Sequence, residues 1–208
     1  MERIDDPVAA SAMNPVLAMA RLTFLVFVFV SLVLPFFSFE GYSIVENTTS
    51  HLGAQCSPHA WVMNVTFIAL GLAASIVLAK TQSLYHQVIG VCFGISLLLT
   101  GVFRHAPLLG GIPVDVFHDQ LHSVFASTTG FMFTFLAVGH GFMTRGRQRL
   151  VGFSLAGIAI VVSLGMWLAP DFMGLLQRFM FFSAFWWLFF YMRPPKDLQA
   201  RKNDSFPR

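Results

Sequence analysis

Six long apolar runs dominate the sequence and constrain its fold more than any other feature. They cover approximately residues 22–39, 60–79, 88–103, 117–143, 150–169 and 172–192. Each is close to the roughly 20 residues that an α-helix needs to cross about 30 Å of hydrocarbon. Lipid offers no partner for an unpaired backbone amide, so runs of this kind must be helical. The sequence therefore predicts an all-α integral membrane bundle of six transmembrane helices.

The composition agrees with a chain that is surrounded mostly by lipid. Hydrophobic residues make up 56% of the 208 residues and charged residues 11%, and the mean hydropathy is +0.69. A soluble domain carries roughly 25% charged residues, so this chain has too little charge to cover a water-facing surface. The net charge is +3, but the basic residues form no stripe or patch, which argues against nucleic-acid binding. No small-residue cleavage site follows the first run, so we expect it to be retained as a span.

Lysine and arginine are distributed unequally between the two sides that six spans define. One side holds eleven of them (Arg3, Arg21, Lys80, Arg145, Arg147, Arg149, Arg193, Lys196, Arg201, Lys202 and Arg208), and the other holds two (Arg104 and Arg178). Because basic residues accumulate in cytoplasmic loops, we expect both termini to be cytoplasmic (N-in/C-in). We expect one domain over residues 1–208, with a short cytoplasmic N-terminus (1–19) and a basic cytoplasmic tail (193–208).

The sharpest polar pattern is Asp115-x-x-His118-x-x-x-His122, at the predicted outer end of the fourth span. On a helix, His122 lies about 40° from His118 and Asp115 about 60° from it, so the three share one face. Two histidines and a carboxylate can hold zinc and leave an open position for a water molecule. The pattern predicts a candidate metal site. The alternative is that these groups hydrogen-bond between helices and fix their packing.

Arg178 is a second informative residue, because the apolar stretch between it and Arg193 is too short to span a bilayer alone. We expect its guanidinium to lie inside the outer part of the sixth span, facing the bundle interior and paired with an acid. Among the acids predicted on that side we choose Asp115 as the partner. The alternative is that Arg178 extends to the outer headgroups.

Other histidines and the two cysteines allow further interpretations. In the first outer loop, Ser50 and His51 could supply a hydroxyl and a base. Axial ligation of two haems is a separate hypothesis, with ligands drawn from His86, His140, His59 and either His118 or His122. Cys56 and Cys92 are expected at different depths, too far apart for a disulfide.

Several of these residues fall into segments that resemble a known family. Ser50-x-Leu52-Gly53, Asn64, Pro113-x-Asp115 followed by His118 and His122, and Gly174-Leu175-x-Gln177-Arg178 look like a bacterial six-span integral membrane family that is known only as a domain of unknown function. The resemblance covers roughly residues 20–192. It implies a six-helix fold and a bacterial inner (plasma) membrane location, and it brings no established activity.

A second, fainter resemblance concerns catalysis. Asn47-x-x-Ser50-His51-Leu52, followed later by His-x-x-x-His, is similar to the ceramidase, progestin-receptor and haemolysin-III-like group of membrane hydrolases. These resemble seven-helix zinc enzymes that cleave lipid amides and carry their paired histidines in the last helix. In this chain the pair stands in the fourth of six spans.

Three functional hypotheses follow, and the sequence does not decide whether the protein is an enzyme. The first is a metal-dependent hydrolase or transferase acting on a lipid-borne group at the outer face. In it, His118, His122 and Asp115 would hold zinc, Arg178 would stabilise developing negative charge, and Ser50 and His51 would shape the pocket. The second is a non-catalytic membrane protein whose buried polar network serves packing, sensing or partner assembly. The third is a haem-b electron carrier. The lipid bilayer is the one partner that the sequence implies.

Overall fold

The computed structural model describes residues 14–195 of the chain. Its helices are α1 (Pro15–Val33), α2 (Thr49–Leu52), α3 (Ala60–Ala79), α4 (Leu84–Val102), α5 (Val116–Met143), α6 (Gly146–Leu168) and α7 (Met173–Trp186), and α7 continues into a π-helical turn, Trp187–Tyr191. Short 3₁₀ turns, Leu34–Phe37 and Pro170–Phe172, extend α1 and precede α7. Six segments of this part of the chain are long and apolar enough to cross a membrane. The predicted all-helical six-span architecture is therefore confirmed.

The terminal segments bear on the predicted orientation. Most of the predicted tail 193–208, and the residues before 14, lie outside the described residues. Five of the eleven basic residues that predicted the orientation lie there: Arg3, Lys196, Arg201, Lys202 and Arg208. The assignment of both termini to the cytoplasm stays a prediction.

Three helices begin earlier than the apolar runs predicted. Helix α1 starts at Pro15 rather than at residue 22, because the Asn14 side chain accepts a hydrogen bond from the Val16 amide (3.1 Å) and proline fits the first helical turn. Helix α4 starts at Leu84 rather than at 88, and α6 at Gly146 rather than at 150. Polar residues can form the ends of spanning helices where these leave the hydrocarbon, so apolar runs underestimate helix length.

The bundle has two ends, which we name by their contents. Neighbouring spans in sequence pack against each other, and α7 also contacts α1. The Arg178 end holds the starts of α3, α5 and α7, together with the loop that follows α1. The terminal end holds the starts of α1, α4 and α6 and the end of the π-helical turn. There the Arg21 side chain of α1 donates to the Phe189 carbonyl (3.0 Å).

A phenylalanine core separates the two ends. Phe27, Phe67, Phe93, Phe133 and Phe185 are buried between α1, α3, α4, α5 and α7. The Phe93 ring lies 5.6 Å from that of Phe185 and 6.0 Å from that of Phe133, in tilted contacts typical of packed aromatic side chains. The polar side chains described below therefore form two separate groups.

Helices α3 and α4 approach most closely, and glycine makes that approach possible. A Cβ atom at Gly94 would lie 2.5 Å from the Gly71 carbonyl oxygen and 2.7 Å from the Ser75 amide nitrogen. These are backbone atoms of α3, which cannot move without shifting the helix. Small residues at helix contacts allow this kind of packing in membranes.

We expect Gly94→Ala to destabilise the bundle by about 1–3 kcal/mol, because the added methyl group overpacks the α3–α4 contact. Thermal unfolding in detergent measures the effect. Gly157→Ala is the matched control, since Gly157 lies in α6 with nothing within 4 Å of its added Cβ. Equal melting temperatures for the two variants would contradict this account of the contact.

Candidate functional site

Arg178 is the centre of the polar group at its end of the bundle. It lies in the first turns of α7, and its residue surface is only 3% exposed. The guanidinium donates to four carbonyl oxygens and to one phenol oxygen: Ser31 (3.3 Å), Ile44 (3.0 Å), Asn47 (2.8 Å), Gly174 (3.1 Å) and the Tyr42 hydroxyl (2.7 Å). All three nitrogens of the guanidinium donate, and the bonds to Ile44, Asn47 and Tyr42 hold the loop after α1 against α7.

The predicted pairing of Arg178 with Asp115 is wrong. Asp115 precedes α5, where its side chain is 55% exposed and accepts from the amide (3.1 Å) and Nδ1 (2.8 Å) of His118. These hydrogen bonds, with that from the His118 amide first, lower the pKa of Asp115. Five neutral oxygens solvate the arginine, so the buried cation does not need a carboxylate.

The loop segment held by Arg178, residues 42–55, is here called the cap loop. Three further residues at the start of α7 bind it. Gln177 Oε1 accepts from the amide (2.8 Å) and hydroxyl (2.6 Å) of Thr49, and the Leu175 amide donates to Val45 O (3.1 Å). A Cβ at Gly174 would lie 2.4 Å from the Asn47 and Ile44 carbonyl oxygens. Glycine is therefore needed where the cap loop crosses α7.

Tyr42 completes the contact between the cap loop and Arg178. Its hydroxyl accepts from Arg178 and lies 3.0 Å from Asn47 O and 2.8 Å from Thr48 O, to which it donates. Burial raises the pKa of Tyr42, and the nearby Arg178 charge opposes that rise. The phenol therefore remains a neutral donor that closes the loop on itself.

His51 lies inside the cap loop, in the short helix α2. Thr48 and His51 form a capping box, in which His51 Nδ1 accepts from the Thr48 amide (3.3 Å). Glu or Gln usually occupies this position, so a titratable imidazole here makes the capping contact sensitive to protonation. The pKa of His51 is lowered to about 4, mainly by burial and then by the charges of His105, His122 and Arg178.

His51 begins a series of three imidazoles in edge-to-face contact. The His51 and His105 rings are 5.1 Å apart, and the His105 and His122 rings are 5.4 Å apart. Asp119 lies beside His105, with Oδ1 at 3.9 Å from its Nδ1, and accepts from the Ala106 amide (2.7 Å). The series links the cap loop to α5 through the loop that follows α4.

The structure does not assemble the metal site that the sequence predicted. His118 pairs with Asp115 and is 41% exposed. His122 is buried, and its Nδ1–H donates to the Thr100 (3.0 Å) and Phe103 (2.9 Å) carbonyls at the end of α4. Among residues 14–195, no group of three His, Cys, Asp or Glu side chains lies close enough to hold a metal ion. Sharing a helix face did not bring these side chains to a common point.

Ser50 and His51, predicted as a hydroxyl and a base, are both buried in α2. His51 Nδ1 faces Thr48 and Asn47, and no hydrogen bond joins the two predicted partners within the described part of the chain. The geometry favours a structural role for His51 in the loop.

Two amide side chains hold the loops: Gln55, which the sequence did not single out, and Asn64, which it did. The Gln55 side-chain oxygen accepts a hydrogen bond from the Asp115 amide (2.8 Å), and its nitrogen donates to the Arg104 (3.2 Å) and Asp115 (3.0 Å) carbonyls. These bonds join the cap loop to the loop before α5. Asn64 of α3 donates to Gly53 O (3.0 Å). Hydropathy gives no signal for Gln55, because it lies in a polar loop.

A second polar group lies at the terminal end. Ser83 Oγ contacts His86 Nδ1 (2.8 Å), His86 Nε2 contacts His140 Nδ1 (3.0 Å), and His140 Nε2 contacts Gln148 Oε1 (3.1 Å). The Gln148 amide nitrogen donates to Tyr191 O (3.1 Å). The two imidazoles bind each other directly, which leaves no room for a haem iron between them. This pair therefore does not support the predicted haem site.

The fold and these contacts define a class, namely multi-pass α-helical membrane proteins with buried polar networks at the bundle ends. The chain belongs to the family described as "Protein of unknown function (DUF998)", whose model matches residues 21–193. This confirms the predicted resemblance over nearly the same range. No curated protein and no solved structure matches the chain. The fainter resemblance to the ceramidase-like group therefore stays a prediction.

We expect Arg178→Lys to destabilise the protein by at least about 2 kcal/mol, because an ammonium group cannot supply a planar array of five donors to the buried oxygens. Arg145→Lys, at an exposed position, is the control and should leave the melting temperature unchanged. Limited proteolysis within residues 42–55 should become faster in Arg178→Lys only. If the two variants behave alike, the arginine does not hold the cap loop.

We expect the protein purified in detergent with zinc present to contain well below one zinc per chain, because the three predicted ligands do not converge. His118→Ala should leave the zinc content unchanged. Elemental analysis of both preparations is the measurement. One zinc per chain that is lost in His118→Ala would support the metal-dependent hydrolase instead.

Proposed function

We propose that this protein is a non-catalytic membrane sensor, in which the cap loop responds to acid at the outer face of a bacterial plasma membrane. The observation that carries the proposal is the position of His51. Its imidazole accepts a backbone hydrogen bond within the cap loop, beside Arg178 and two further histidines. The polar network at this end thus stabilises the cap loop at neutral pH, and protonation of His51 would weaken it.

Protonation of His51 removes an acceptor from the capping box. A neutral His51 with its proton on Nε2 accepts from the Thr48 amide at Nδ1, whereas an imidazolium has N–H groups at both nitrogens. In the charged form, Nδ1–H would point at the Thr48 N–H. The contact that closes α2 would then become repulsive.

The charges around His51 add to this effect. His105 and His122 face it from the loop after α4 and from α5, and Arg178 faces it from α7. Among residues 14–195, Asp119 is the one acid that contacts the histidine series, and it lies beside His105 rather than beside His51. A proton on His51 therefore enters a mainly positive environment with little water.

The direction of the pH dependence follows from the lowered pKa. The pKa of His51 is about 4 in the closed loop and has its ordinary value of 6.5 when the loop opens. The closed loop is therefore fully stabilised above pH 6.5 and loses this stabilisation as the pH falls towards 4. A difference of this size corresponds to about 3 kcal/mol.

Competing functions have less support from the geometry. The hydrolase hypothesis requires Asp115, His118 and His122 to move together, and the haem hypothesis requires His86 and His140 to separate. Each of these side chains already has a hydrogen-bond partner in its present position. Sensing requires only that the existing contacts of the cap loop weaken.

We expect the cap loop to open reversibly as the pH falls from 7.5 to 4.5. An environment-sensitive, pH-independent dye on Cys56 reports the opening, in a Cys92→Ser background reconstituted into lipid nanodiscs. Cys56 is exposed and directly follows the last residue of the cap loop. The emission of the dye should change with a midpoint between pH 4 and 6.5.

His51→Asn should abolish this response, because the asparagine oxygen can accept from Thr48 and does not titrate. His59→Asn is the matched control: His59 is exposed, and its φ of 54° lies in the left-handed region that asparagine tolerates. It should respond like the parent protein. A response that persists in His51→Asn would exclude His51 as the sensing group.

A further inference from the structure

We propose that the groove between α1, α6 and α7 binds the acyl chain of an anionic phospholipid, with the phosphate held at Arg21. The groove has a volume of about 580 Å³ and is lined mainly by aromatic and aliphatic side chains. This volume lies within the roughly 300–1,000 Å³ typical of small-molecule sites. The proposal concerns the terminal end of the bundle and is independent of acid sensing at the Arg178 end.

The length of the groove fits one leaflet. Its lining on α7 and the π-helical turn extends from Phe179 to Tyr191. At 1.5 Å per residue this distance is about 18 Å. Half of a hydrocarbon layer of about 30 Å is about 15 Å, so the groove matches the depth reached by a single acyl chain. Phe179 and Trp186 are exposed, so the groove opens to the surrounding lipid.

The same stripe of each flanking helix carries a polar residue at the mouth of the groove. On α1, Phe24 and Val28 line the groove, and Arg21 stands one turn before Phe24. On α6, Val151 and Leu155 line it, and Gln148 stands one turn before Val151. Residues at i, i+3 and i+7 share a helix face, so each polar side chain continues the lined surface toward the headgroups.

Arg21 is positioned to bind a phosphate. Its Nε donates to Phe189 O (3.0 Å), and its guanidinium lies 4.8 Å from the centre of the Phe190 ring. These contacts fix the plane of the group, and its two terminal nitrogens make no hydrogen bond to residues 14–195. A planar guanidinium with two unused nitrogens suits bidentate binding of a phosphate.

The electrostatics of this end favour an anionic rather than a zwitterionic lipid. Arg193, whose backbone amide donates to Gln148 Oε1 (3.3 Å), places a second arginine residue beside Gln148. Every carboxylate in residues 14–195 belongs to a loop or helix start at the Arg178 end: Glu40, Glu46, Asp115, Asp119 and Asp171. The headgroup therefore meets positive charge with no described acid beside it.

Quenching of Trp186 and Trp187 by brominated lipids tests the proposal, because both tryptophans line the groove. Trp61→Phe and Trp167→Phe remove the other two, which are exposed at other positions. The protein is reconstituted in phosphatidylcholine containing increasing mole fractions of brominated phosphatidylglycerol or, in a parallel series, of brominated phosphatidylcholine. We expect the phosphatidylglycerol to quench at about fivefold lower mole fraction, the factor for one arginine near an anionic lipid.

Two variants assign the preference to this site. Arg21→Gln should remove most of it, and Arg147→Gln, at an exposed arginine of the same end, should leave it intact. Val151→Phe should reduce quenching by filling the groove while Arg21 is retained. Equal quenching by the two lipids in the parent protein would overturn the proposal. A preference that survives both Arg21→Gln and Val151→Phe would show general attraction to this face and would also overturn it.

Discussion

The Arg178 end depends on the solvation of one guanidinium where water is scarce. A buried arginine is costly unless its donors are satisfied, and here backbone carbonyls and a phenol satisfy them. Because those carbonyls belong to the cap loop, solvating the cation and ordering the loop are the same event. Gln177 and Gly174 extend the contact, the first as an acceptor and the second by having no side chain.

Buried polar groups are stabilised differently at the two ends of the bundle. At the Arg178 end a permanent charge is surrounded by neutral oxygens, and three histidines lie in series beside it. At the terminal end two histidines bind each other and connect to Gln148 and the π-helical turn. The phenylalanine core lies between them, so within residues 14–195 no series of hydrogen bonds joins the polar side chains of the two ends.

Much of the fold could be predicted from the sequence, and much less of the site. The six spans follow from hydropathy, while their starts required local contacts such as the Asn14 cap. Arg178 lies inside the bundle, as expected, but the predicted partner was wrong. The prediction considered only nearby acids, whereas backbone carbonyls accept most of its hydrogen bonds. His118 and His122 do lie on one side of α5, yet their hydrogen bonds take them to Asp115 and to the end of α4. Helix periodicity predicts which side of the helix a residue lies on. It does not predict the rotamer of its side chain or which helix packs against that side.

By itself the sequence determined that this chain is helical and spans a lipid layer six times, because backbone amides in hydrocarbon have no alternative partner. For Arg178 it left two positions open, one inside the bundle and one at the outer headgroups, and the structure shows the residue buried. Only the tertiary structure decided which oxygens surround that arginine and which histidines touch. The contacts between Arg178 and the cap loop join residues more than one hundred positions apart, such as Arg178 and Ile44, and their geometry depends on how helices pack. A local sequence pattern cannot predict contacts between residues so far apart in the chain.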